Sequence, residues 1–282
     1  MRSLAWVTDS TSTIDKEFAK NNHIYIVPLR LILGQETYRE SVDISAEDFY
    51  EKMRHESKVS SSQPPIGEFM ELYESLKDKY DDVIAIHCSA ELSGTYNTSI
   101  QAAAMANVPV IGIDSKFGAF PIREMIKAGI EWHKRGGSAT EIKERIEEMV
   151  RNTTFYVIPS SLSRLHNSGR VSGTQLLLSN LLRIHLLLRF DDGKVVVEHK
   201  IRTFKKARQK MLEILKDDFH KIKKVCIMHA NNMEEAKEIE KELSDMNPSL
   251  KTEIMTFIPV VGYLAGEGTI AMSWIKHQPT FS

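Results

Sequence analysis

Short apolar runs alternate with longer amphipathic ones through the first half of the chain. Leu4–Val7, Val83–His87 and Val108–Ile113 are short, mainly apolar runs, the pattern of strands buried on both faces in a largely parallel sheet. Between them, Ala46–His55, Pro65–Tyr80 and Thr95–Ala106 space their apolar positions as helices do. Start signals support these helices, for example Pro64-Pro65 ahead of Glu68-Phe69. A further helix runs from about Pro121 to Lys134 and stops at Gly136-Gly137, where glycine supplies a left-handed cap. Ser138 and Glu141 then form a capping box for a helix ending near Val150. This is βα alternation, the grammar of an α/β domain.

The second half changes character. Thr154–Ile158 has strand character, and Arg189–Lys200 folds back on itself around Asp191-Asp192-Gly193 as a hairpin. Helices over Lys205–Asp218 and Met233–Asp245 flank a strand at Val225–His229, and Glu253–Phe257 reads as a last strand. Hairpins bring antiparallel pairing, so a mixed sheet is expected here. The pattern predicts an N-terminal α/β domain over 1–151 and a C-terminal one over 152–282. No Gly/Ser/Pro-rich linker separates them, so a tight interface is expected.

Composition narrows the function classes. A net charge of −1 argues against a nucleic-acid protein, which shows a basic excess. The two cysteines, Cys88 and Cys226, are far apart and build no disulfide framework, as expected in a reducing compartment. The start, Met1-Arg-Ser-Leu-Ala-Trp-Val, runs straight into a strand rather than a secretory leader. The greasiest stretch, Leu176–Leu188, is interrupted by Ser179, Asn180, Arg183 and His185, so it does not read as a membrane span. A soluble, cytoplasmic protein is the expectation.

Four polar segments follow or precede these elements: Thr8–Thr13, Ser60–Pro64, Ser89–Thr95 and Asp114-Ser115. By topology they converge on the carboxyl edge of one parallel sheet, where ligands of open α/β sheets bind. Hydroxyls and free N–H groups at helix starts are donors suited to an anion. Gly94 allows close backbone approach. The alternative is that each Ser, Thr or Asp only caps its own helix. Pro259–Gly268, with glycines at 262, 266 and 268, fits either a structural turn or a phosphate cradle, although no Lys-Ser/Thr follows as a P-loop requires. His87, Cys88, Cys226 and His229 alternate within apolar strands and lack a short ligand pair, so no metal is expected. No base is placed beside Ser93 by topology, which argues against a serine nucleophile. The Lys205, Lys206, Arg208 and Lys210 series reads as a solvated helix face, whereas Arg164, Arg170 and Arg202 fit a basic docking surface.

Taken together these segments resemble the DegV family of bacterial lipid-binding proteins. The resemblance rests on Val7-Thr-Asp-Ser-Thr11, Ser61-Ser-Gln-Pro64 before Gly67-Glu-Phe69, and Leu92-Ser-Gly-Thr95. It continues through Gly169-Arg-Val-Ser172, Lys200-Ile-Arg-Thr203 with Lys205-Lys206-Ala207, and Pro259–Gly268. It implies two α/β domains with a long apolar tunnel between them. It further implies a carrier, not an enzyme, that presents a long-chain fatty acid to a separate fatty-acid kinase. That kinase would use ATP to turn the bound carboxylate into an acyl phosphate. The implied carboxylate site is Ser61, Ser62, Ser93 and Gly94, with Thr95 nearby, and Arg170 and Arg202 match positions implicated in kinase docking. The fatty acid is the ligand and no cofactor is implied. The implied partners are the fatty acid, the kinase and, transiently, a membrane.

The terminal segment departs from the family pattern. Leu264 stands where the family has a histidine that contacts the head group, and Glu267 where it has a proline. Leucine cannot donate to a carboxylate, and Glu267 would repel one if it faced the site. Two other readings therefore stay open: a carrier for a different lipid, and an enzyme acting on a small anionic metabolite held by Gly262–Gly268.

Overall fold

The computed structural model describes residues 2–56, 58–172 and 184–279. Most of the apolar stretch 176–188 lies outside them. Among the described residues no helix is long and apolar enough to cross a membrane.

The first sheet has four parallel strands in the order β2-β1-β6-β7: β1 (Leu4–Asp9), β2 (Ile24–Val27), β6 (Asp82–His87) and β7 (Ile111–Asp114). Alternate residues of its central strands serve two cores, as the period-2 geometry requires. Ala5, Val7, Val83 and Ala85 face α3 (Ile66–Leu76) and α4 (Thr95–Met105), through Phe69, Tyr73 and Ala102. Leu4, Trp6, Ile84 and Ile86 join the core that contains α5 (Phe120–Lys134) and α6 (Ala139–Arg151), through Ile122, Ile126, Ile142 and Ile146. The capping box of α6 forms, with Ser138 and Glu141 each bonding the other's backbone N–H. The strand expected at Val108–Ile113 starts later because Asn107 takes a left-handed φ of 53°, turning Val108 under α4 before the strand begins.

A second, antiparallel sheet of three short strands was not anticipated. It has the order β4-β3-β5: β3 (Arg30–Leu33), β4 (Glu36–Arg39) and β5 (Val59–Ser62). The Ser60–Ser62 run is therefore an edge strand, not a loop of the parallel sheet. Leu31 pairs opposite Ser61 and Arg30 opposite Ser62, which sets the hydroxyls beside the apolar middle strand. Two further helices, α1 (Lys16–Asn21) and α2 (Ala46–His55), complete this half.

The third sheet is mixed and seven-stranded, in the order β13-β12-β14-β8-β10-β11-β9. Its strands are β8 (Thr153–Ile158), β9 (Val171–Ser172), β10 (His185–Asp191), β11 (Lys194–Ile201), β12 (Lys224–His229), β13 (Lys251–Thr256) and β14 (Ile270–Ile275). One face packs on α8 (Phe204–Asp217) and α9 (Met233–Met246) through Leu187, Met211, Leu215, Ile227, Ile239 and Trp274. The other face, with Phe155, Val157, Leu186, Leu188 and Met228, belongs to the same apolar core as α5. Glu253–Phe257 is not the last strand: Ile270–Ile275 enters the sheet between β12 and β8. Two short helices also belong to this half, α7 (Leu162–Ser168) and α10 (Pro259–Ala265). The expected turn or phosphate cradle at Pro259–Gly268 is thus mostly helix. Pro259 suits the first helical turn, where no N–H partner is needed. Gly262 sits inside the helix because a methyl there would fall 1.7 Å from Tyr50 Oη.

The charged pairs of α5 cross to the seven-stranded sheet. Arg123 bonds Glu253 at 2.8 Å, and Lys224 lies 3.3 Å from Glu124. Burial and charge pairing here fasten the helix between two sheets.

Candidate functional site

An apolar cavity lies between the carboxyl edge of the parallel sheet and the inner face of the seven-stranded sheet. It encloses about 990 Å³ of space, its open mouth included. Phe155 and Val157 of β8, Leu188 and Phe190 of β10, and Val195 of β11 form one wall. Val260, Val261 and Leu264 of α10 form another, and Phe117, Gly118 and Ala119 close it before α5. Phe155 and Phe190 are packed with ring centroids 4.6 Å apart, and Phe117 and Phe190 with centroids 5.6 Å apart.

Polar groups concentrate at the mouth. Ser61, Ser62, Gln63, Leu92, Ser93 and Arg170 border both the apolar cavity and a second, outward-opening hollow that also touches Gly94. Three separate pieces of chain deliver them: the end of β5, the loop after β6, and the residue before β9. Ser93 Oγ lies 2.8 Å from Thr95 Oγ1 and accepts the Thr95 N–H. Thr95 itself is fully buried and borders neither space, so it holds Ser93 rather than facing a ligand. Gly94 leaves room for the Gln63 carboxamide, whose Nε2 donates to Thr98 Oγ1 at 2.5 Å.

Arg170 is anchored over the mouth. Its Nε donates to Leu92 O at 2.8 Å and its Nη1 to Ser168 O. Arg202 is exposed, beyond the end of β11, and borders neither space. Val171 pairs with Val195, so Arg202 stands about seven to eight residues further along the sheet, roughly 25 Å away at about 3.3 Å per residue. The two arginines do not share one contact point.

The departures in the terminal segment have separate consequences. Leu264 lines the cavity and adds to its apolar wall. Glu267 does not border the cavity: it pairs with Arg54 and accepts from Asn231 Nδ2. The Arg54 and Asn231 bonds outweigh its partial burial and lower its pKa.

Beneath the mouth runs a buried chain that the sequence did not reveal. Asp9 Oδ2 accepts from Cys88 N–H at 2.9 Å and lies 3.0 Å from His87 Nδ1. His87 Nε2 lies 2.8 Å from Ser99 Oγ, which lies 2.6 Å from Tyr73 Oη. Burial pushes the Asp9 carboxyl up, but the His87, Thr11 and Cys88 bonds outweigh it and hold the pKa below its ordinary value. The order Asp-His-Ser resembles a hydrolytic triad, yet Ser99 is 0% exposed and its hydroxyl is already shared by His87 and Tyr73. The chain joins β1, β6, α3 and α4 from inside. Only the spatial meeting of residues about 80 positions apart could have exposed it. Burial pushes the Cys88 thiol well above its ordinary value, with the Asp9 charge adding to the effect, so Cys88 lines the cavity as a neutral group. His229 sits elsewhere, accepting Asn232 N–H at 3.1 Å. Among the described residues no cluster of His, Cys, Asp and Glu could hold a metal ion.

The family model described as an uncharacterised protein of the DegV family matches residues 3–277. This chain belongs to the DegV family. A DegV domain-containing protein of Halalkalibacterium halodurans is 35% identical over 97% of this chain and 99% of its own. The crystal structure of DegV from Bacillus subtilis, described as a fatty acid binding protein, is 34% identical. It superimposes with a TM-score of 0.88 over 98% of this chain and 100% of that one. A DegV-family structure from Streptococcus agalactiae, 23% identical, agrees in fold with a TM-score of 0.91 over 98% of this chain and 99% of its own. The parallel N-terminal and mixed C-terminal sheets are thus the DegV arrangement.

Proposed function

We propose that this DegV-family chain is a fatty-acid carrier that works in the cytoplasm. The observation that carries the reading is an apolar cavity whose mouth, shared with an outward-opening hollow, gathers Ser61, Ser62, Ser93 and Arg170. The acyl chain lies among Phe155, Leu188, Phe190 and Leu264, and the carboxylate meets the hydroxyls at the mouth. The chain supplies the affinity. Sixteen carbons at about 0.8 kcal/mol per methylene give on the order of 12 kcal/mol before costs. Immobilisation and desolvation remove about a third of that, leaving about 8 kcal/mol, which is micromolar binding. The hydroxyls fix the orientation.

In this reading residues 1–151 supply most of the mouth and residues 152–282 most of the apolar wall. The protein performs no turnover of its own. A separate kinase transfers the γ-phosphoryl group of ATP to a carboxylate oxygen at the mouth, giving acyl phosphate and ADP. Arg170 beside the mouth and Arg202, exposed further along the sheet, contact that kinase. The open outer hollow at Ser93 and Gly94 supports access from outside, and the sealed Ser99 hydroxyl supports a binding role over hydrolysis.

Binding of tritiated palmitate to lipid-stripped protein tests the carrier reading. Incubation of the loaded protein with a fatty-acid kinase and ATP tests the presentation step. Saturable binding followed by hydroxylamine-sensitive acyl phosphate is the expected result. Binding without any phosphorylation by such kinases would leave a carrier and remove the kinase partnership.

A further inference from the structure

Glu40 is a carboxyl group sealed from water. It follows β4, is 0% exposed, and spans three parts of the molecule. One oxygen lies 2.6 Å from Ser10 Oγ, just past β1, and the other accepts the Val260 N–H of α10 at 2.7 Å. Its own N–H donates to Leu29 O, which precedes β3. Val260, Val261 and Leu264 of α10 line the cavity, so the group that seats this helix also sets one wall of the cavity.

The charges around it offer no compensation. Asp9, at the end of β1, is a like charge committed to His87. Tyr50, from α2, has a buried hydroxyl without a hydrogen-bond partner, packed on Gly262. Glu267, past α10, is paired with Arg54. Among the described residues no cation forms an ion pair with Glu40. Burial without a counter-ion disfavours the charged form more than two hydrogen bonds favour it, and the pKa is pushed up to about 7.

We propose that Glu40 is a positioning residue: its neutral carboxyl seats α10 against the cavity, and loss of its proton loosens that wall and shortens ligand retention. The proposal rests on the acyl-site reading above. If α10 shifts and water reaches Glu40, the shifted state binds a proton less tightly than the seated one. Rising pH then favours the shifted state.

The test follows dissociation of tritiated palmitate from the full chain as wild type, Glu40→Gln and Glu40→Ala. Wild type should release palmitate several-fold faster at about pH 8 than at about pH 6, across the titration of the group. Glu40→Gln, neutral at both, should be slow at both; Glu40→Ala, without the tie, should be fast at both. The ionisation of palmitate itself is common to all three. Equal wild-type rates at the two pH values, or an unchanged pH dependence in Glu40→Gln, would overturn the proposal. Hydrogen exchange of residues 260–265 in the ligand-free protein, corrected for intrinsic rates, gives a second reading. Protection should fall with pH in wild type and not in Glu40→Gln; identical behaviour of the two would overturn the proposal. Palmitate that fails to bind would count against the acyl-site reading alone, and hydrogen exchange would still decide the role of Glu40. Should Glu40→Ala not fold, wild type and Glu40→Gln suffice.

Discussion

The Gln63 carboxamide lies across the backbone of Gly94, so close that a methyl group on Gly94 would fall 1.9 Å from Gln63 Oε1. Gly94 has an ordinary φ of −70°, so the glycine is required for space and not for backbone conformation. Gln63 is the flexible partner and would be the one to move, into the mouth that it borders. Gly94→Ala should therefore weaken palmitate binding about tenfold or more, a loss of about 1.4 kcal/mol, while costing little stability. Gln63→Ala in the same chain should recover most of the loss. Isothermal titration of the two variants checks this, and a double variant as weak as Gly94→Ala would contradict it.

Ser93→Ala removes a hydroxyl from the mouth and its bonds to Thr95. A hydrogen bond to a charged group contributes about 1–3 kcal/mol, so affinity should fall between several-fold and about a hundredfold. The melting temperature of the ligand-free protein should change little. A large fall in melting temperature with unchanged affinity would make Ser93 a helix-start residue instead.

The elements legible in the sequence were those with caps and strong periodicity. Helix α2 spans Ala46–His55 as expected, and the capping box of α6 forms as its residues indicate. The three-stranded sheet was hidden because β4 and β5, Glu-Thr-Tyr-Arg and Val-Ser-Ser-Ser, carry almost no apolar pattern. Helix α10 was hidden because Pro259 and Gly262 signal a turn unless Tyr50 is known to press on the glycine. The mouth hydroxyls at Ser61, Ser62 and Ser93 stood out as hydroxyl runs. Glu40 did not: one carboxylate among 38 acidic residues becomes distinctive only when burial singles it out.

Two buried carboxyls should titrate in opposite senses. The Asp9 pKa is lowered, so its contribution to stability is present above the ordinary carboxylate range and is lost as pH falls through the lowered value. Asp9→Asn should remove that acid sensitivity and cost about 1–3 kcal/mol near neutral pH, since it weakens the buried bonds to His87 and Cys88 N–H. The Glu40 pKa is raised to about 7, so its contribution is full below about pH 4.5 and is lost as pH rises to about 7. Glu40→Gln should gain on the order of 1–3 kcal/mol over wild type at about pH 8. Denaturant unfolding across the pH range measures both, and a parallel response of the two variants would contradict the assignment.

Glu267 is held by Arg54 and Asn231 and does not border the cavity. Glu267→Gln should therefore change palmitate affinity by less than about twofold, since a screened, exposed pair contributes little. A clear gain in affinity, read by the same titration, would place that charge near the carboxylate after all.

In the proposed function, the cavity behind Ser61, Ser62 and Ser93 holds a long acyl chain by its tail and orients its carboxylate at the mouth. Native mass spectrometry of protein purified from a bacterial host, followed by extraction and identification of the lipid, tests it most directly. One long-chain fatty acid per chain, exchangeable for added palmitate, is the expected result. Protein that arrives empty and takes up no palmitate would contradict it.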